Sequence, residues 1–195
     1  MSPTLPPVTR AVIVSTVLVY LLQQVSGDTL LDLFALWPVS DPRFQPWQLL
    51  TYGFLHEGDL RHLDIAHIFF NMFALLVFGP PLERLWDSAR FSIYYLACVL
   101  SAAVIELVVE NAVNAGTAAV GASGGVFGLL LAFAWYFPKE KMILLVLLVT
   151  LYGVMEVYLG VTGKQPGVAH FAHLGGLLGG ALMLLYWRMR GRFVS

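Results

Sequence analysis

Four polar side chains stand in stretches of this chain that are otherwise apolar: His67, Asn71, Ser123 and His173. A hydroxyl, an amide and two imidazoles are costly in hydrocarbon unless they are paired, hydrated or put to use. As a set they have the parts of acyl transfer: a nucleophile, a base for its proton, and two donors for a developing oxyanion. Ser123 lies in Gly121-Ala122-Ser123-Gly124-Gly125-Val126-Phe127-Gly128, with few bulky neighbours. A serine opening a helix there gains the unserved backbone N–H groups and the positive end of the dipole. The same glycines also form small-residue packing seams, a role this motif alone leaves open.

His173, in Ala169-His170-Phe171-Ala172-His173-Leu174-Gly175-Gly176, is the candidate base, because the glycines after it permit a close approach to the serine helix. His170, three residues earlier on the same face, belongs nearer the outer water as a polar rim residue. His67 and Asn71, four apart, share one helix face and can both donate to an oxyanion or to a structural interhelical bond. No intramembrane aspartate is placed to orient the imidazole, which predicts a Ser–His dyad. Phe127, one turn after Ser123, can brace the His173 ring by packing. A metal is not expected: no HExxH occurs, and the histidine pair lacks a carboxylate at ligand spacing. His56 and His62 fall in a loop, where solvated or capping roles suit them better than ligation.

The elements that must carry these residues are apolar helices. Hydrophobic residues make up 58% of the chain and charged ones 12%, with a mean hydropathy of +0.77, the composition of an integral membrane protein. The net charge of −1 offers no basic stripe for nucleic acid. The lone Cys98 lies mid-segment as a packing residue. Apolar segments read 8–26, 65–83, 90–110, 123–137, 142–160 and 169–187, each a helix because a span must satisfy its own backbone. The first reads as a retained helix and not a cleaved leader. The fold class is therefore all-α, a polytopic bundle of six transmembrane helices forming one domain over 1–195. The connection 27–64 mixes aromatics with prolines, as a structured loop at the interface would.

Basic residues orient the bundle. With six spans and both termini inside, Arg10, Arg84, Arg90, Lys139, Lys141, Arg188, Arg190 and Arg192 face the cytoplasm, and Arg43, Arg61 and Lys164 face out. This bias puts both termini in the cytoplasm. Ser123 then precedes Lys139 by 16 residues and His173 precedes Arg188 by 15, about 22–24 Å above the inner boundary. Asn71 and His67 precede Arg84 by 13 and 17 residues, or about 20 and 26 Å, which brackets the same plane. The four side chains are thus expected to meet in a pit about 5–10 Å below the outer surface.

On these residues the chain resembles the rhomboid intramembrane serine proteases. The resemblance rests on His67 and Asn71 in the second segment, Gly121-Ala122-Ser123-Gly124 opening the fourth and Ala172-His173 with Gly176 in the sixth. It covers about residues 10–187, and the loop stretch Pro46-Trp47-Gln48-Leu49-Leu50-Thr51-Tyr52-Gly53-Phe54-Leu55-His56 also looks like family sequence. The resemblance implies Ser123 as nucleophile and His173 as base, with His67, Asn71 and the Ser123 N–H around the oxyanion. It implies no cofactor, a gate formed by segment five and residues 162–168, and single-pass membrane proteins as substrates, cut in or near their spanning segments. Glu83-Arg84-Leu85-Trp86 is family-like, but Asp87 stands where a glycine is usual. Phe127 replaces a frequent tyrosine, and the first loop lacks the Trp-Arg pair of some members. A bacterial inner membrane is the expected location. Rival readings are an inactive relative that binds membrane clients and a transporter or proton channel. Glu106, Glu110 and Glu156 fall toward the outer helix ends and form no midplane chain of carboxylates for the latter.

Overall fold

The computed structural model describes residues 4–62, 65–113, 116–138 and 170–191, together with 151 and 154. The expected span 142–160, apart from those two positions, and the expected gate 162–168 lie outside the described residues. What is described is helical: α1 (Pro7–Ser26), α2 (Thr29–Phe34), α3 (Gln48–Thr51), α4 (Ala66–Trp86), α5 (Ser88–Val113), α6 (Ser123–Tyr136) and α7 (His170–Met189), with two single 3-10 turns, Tyr52–Phe54 and Leu60–His62. Three of these helices, α1, α4 and α5, are long and apolar enough to cross a membrane.

Helix α6 forms the centre. Its mixture of glycine, alanine, leucine and phenylalanine is apolar all round, so it can be enclosed on every side. Gly124 through Leu130, Ala132 and Phe133 are buried, and α4, α5 and α7 all pack on it. At 14 residues it is about 21 Å long, short for a full span. The large apolar side chains the other helices leave uncovered, among them Leu18, Leu22, Phe69, Phe70, Ile93, Val104 and Leu182, form a surface suited to lipid tails.

The start of α1, the end of α4 and the start of α5 are tied by one carboxylate. Glu83, buried near the end of α4, accepts the backbone N–H groups of Val8 (2.9 Å) and Thr9 (2.8 Å), the Thr9 hydroxyl (2.7 Å) and the Ser88 hydroxyl (2.7 Å). The N-terminal turn of α1 exposes N–H donors and a partial positive charge, so this acceptor satisfies both at once. Next to it, Asp87 adopts φ +74, a conformation that favours glycine. Its side chain offsets part of that cost by accepting the Arg90 N–H at 3.0 Å, an N-cap for α5.

In the connection 27–64, the described residues up to 62 hold one another by specific contacts. Arg43 lies 3.2 Å over the Trp37 ring and pairs with Asp41 at 2.8 Å and Asp32 at 3.3 Å. The Arg43 bond holds the Asp41 carboxyl down at about 2. Leu36 and Ala119 exchange two 3.0 Å backbone bonds, which tie this loop to the segment that leads into α6.

Candidate active site

The chain before α6 makes an abrupt entry. Gly121 adopts φ +127, and its N–H donates to the Tyr52 carbonyl at 3.0 Å. A side chain there would be strained and would also collide, since a Cβ would stand 2.9 Å from His67 Nε2 and 3.6 Å from Ser123 Oγ. The glycine therefore leaves a small volume that the His67 imidazole and the Ser123 hydroxyl both face. Ser123 is the first residue of α6, so N–H groups of that turn point outward without intrahelical acceptors.

Helix α7 brings His173 to the same place. His173 Nε2 lies 2.7 Å from Ser123 Oγ, a short bond between a potential nucleophile and a potential base. The contact is possible because Gly176, one turn along α7, lies directly against the Gly124 backbone, and a Cβ there would overlap the Gly124 carbonyl. The Phe127 ring stacks on the imidazole, with centroids 4.5 Å apart and planes 21° from parallel. His173 is 6% exposed, held between a ring and a hydroxyl. The expected packing brace is thus present as a contact.

His67 and Asn71 occupy successive turns of α4. The Asn71 Nδ2 donates to the His67 carbonyl at 3.0 Å, and the side chain is buried at 6% exposure. An amide nitrogen has two hydrogens, so this bond leaves a second donor. His67 Nδ1 accepts the Glu57 N–H at 3.3 Å. A neutral imidazole that accepts at Nδ1 carries its proton at Nε2, the atom beside Gly121. His170 begins α7, and its side chain lies outside the described residues.

His56 contributes more than its loop position predicts. The structure buries it to 2% exposure, with its ring 4.9 Å from that of His67. Its Nε2 accepts the Ala122 N–H at 3.4 Å, which caps the residue just before α6. Of the two roles its loop position suggests, solvated or capping, the structure shows the cap on a ring withdrawn from solvent. The signal lay in its neighbours, because Tyr52-Gly53-Phe54-Leu55 is an apolar run inside an acidic loop. His62 is exposed and bonds Asp59 at 3.0 Å. Among the described residues, no three or more His, Cys, Asp or Glu side chains are grouped to hold a metal ion.

A family model of the Rhomboid domain matches residues 43–190, so the chain belongs to the rhomboid family. It is similar to RHOMBOID-like protein 4 of Arabidopsis thaliana, 33% identical over 70% of this chain and 33% of that one. Rhomboid protease GluP of Bacillus subtilis is 33% identical over 69% of this chain and 24% of its own length. Rhomboid protease GlpG of Serratia proteamaculans is 25% identical over 95% of this chain and 64% of its own. The chain thus spans between about a quarter and two thirds of the length of these relatives. Family and apolar helices together make it an integral membrane protein.

Proposed function

We propose that this chain is an intramembrane serine endopeptidase. The observation that carries the reading is the 2.7 Å contact between Ser123 Oγ and His173 Nε2. In this reading His173 takes the Ser123 proton as the oxygen attacks a substrate carbonyl, then returns it to the leaving amine; water completes deacylation by the same route. The tetrahedral oxyanion is met by the Ser123 N–H, by His67 Nε2–H and by the second Asn71 N–H, at the positive end of α6. No acid is needed to hold the imidazole, because Phe127 and the α6–α7 contact fix it.

The proposed architecture is one domain over 1–195 with six spans, both termini cytoplasmic and the dyad below the outer surface of a bacterial inner membrane. The excess of inner basic residues supports the orientation, and the compact six-segment form supports the location. The proposed substrates are single-pass membrane proteins, since an active serine within the helix layer meets peptide bonds already in the bilayer. The test is cleavage of a panel of single-span proteins in liposomes. Wild type should cut at least one near its membrane segment and Ser123→Ala none; equal cleavage by both removes the assignment.

A further inference from the structure

The Glu57 N–H that selects the His67 tautomer belongs to a loop with little regular structure of its own. What holds that loop is a pair of neighbouring side chains at the outer end of α1. The Gln23 amide bonds both backbone groups of His56, donating to its carbonyl at 3.2 Å and accepting its N–H at 3.1 Å. The Gln24 amide does the same one step further on, donating to the Gly58 carbonyl at 3.4 Å and accepting the Leu60 N–H at 3.1 Å. Residue 57 is thus bracketed, with one glutamine fixing the residue before it and the other the residues after it.

A primary amide presents one donor face and one acceptor face, so it pairs with a backbone strand as another backbone would. Such a pair fixes both the position and the direction of the peptide planes it touches. The plane at issue carries the Glu57 N–H, 3.3 Å from His67 Nδ1. Were that donor to turn away, a proton at Nδ1 would compete with one at Nε2. Each molecule in the Nδ1–H form would present a lone pair, in place of a donor, to the volume beside Gly121 and Ser123.

We propose that Gln23 and Gln24 are positioning residues for the oxyanion site, holding the 56–60 loop so that Glu57 keeps His67 in its Nε2–H form. The proposal rests on the reading of His67 as an oxyanion donor. Neither glutamine touches substrate; both act through the loop.

The test uses the full chain labelled with [15N]histidine, with the His67 signals assigned by their loss in His67→Ala. Wild type should show a single His67 tautomer, protonated at Nε2. Gln23→Met with Gln24→Met should show two exchanging tautomers and a kcat lowered about 10-fold, with KM within about twofold. If the double variant does not fold, Gln24→Met alone carries the test, with a smaller shift in the same direction. A variant with the wild-type tautomer, or with wild-type kcat, overturns the proposal. A wild type that cleaves nothing fails the protease reading instead, and the tautomer spectra still report on the loop.

Discussion

The Phe127 ring and the His173 imidazole are stacked, with centroids 4.5 Å apart and planes 21° from parallel. Stacking restricts rotation of the imidazole without adding a hydrogen bond. Phe127 supplies this packing with no hydroxyl of its own. Phe127→Tyr is therefore expected to cleave within about twofold of wild type, and Phe127→Leu about 10-fold more slowly, since orientation contributes to rate. Matched assays in liposomes decide this. A Leu variant as fast as wild type would show that the ring does not hold the base.

Gly176 makes a sharper prediction. Any side chain there meets the Gly124 carbonyl, so α6 and α7 must separate. Gly176→Val should slow cleavage about 100-fold, the effect of a displacement on the order of 1 Å. It should also destabilise the bundle by about 1–3 kcal/mol, as overpacking does. Full activity in the variant would mean that the helices tolerate a wider gap than the Ser123–His173 bond allows.

His56 gives the fold a pH dependence. Burial, and then the neighbouring His67, push its pKa from 6.5 down to about 3, against a small opposing effect of the Phe54 backbone. Between these values the unfolded chain binds a proton that the folded chain excludes. Its contribution is complete above pH 6.5 and declines as the pH falls toward 3, by about 1.4 kcal/mol per pH unit. His56→Gln keeps an acceptor for the Ala122 N–H and has nothing to titrate. Unfolding measured from about pH 6 to pH 4 should show a slope shallower by roughly one proton in that variant. Identical slopes would contradict a buried neutral imidazole.

The legible parts of this molecule were those whose physics is local. Runs of Val, Leu and Phe announce α1, α4 and α5 because a helix in lipid must be apolar over its length. Ser123 and His173 stand out because polar groups there are costly, and the glycines at 121, 124 and 176 tell where backbones approach. The Asp87 departure from glycine is explained once its φ and its cap on Arg90 are seen together. Much less readable was the loop between α1 and α4. Helices α2 and α3 are too short for periodicity to show. Gln23, Gln24 and His56 act on backbone groups 33 to 66 residues away, and a side chain that bonds backbone leaves no complementary residue to find.

The most direct measurement is covalent labelling of the purified protein by a fluorophosphonate, which reacts with a serine only when a base activates it. Wild type should be labelled at Ser123, and both Ser123→Ala and His173→Ala should lose the label while remaining folded. Equal labelling of Ser123→Ala, or a folded wild type that stays unlabelled while cleaving substrate, would contradict the dyad.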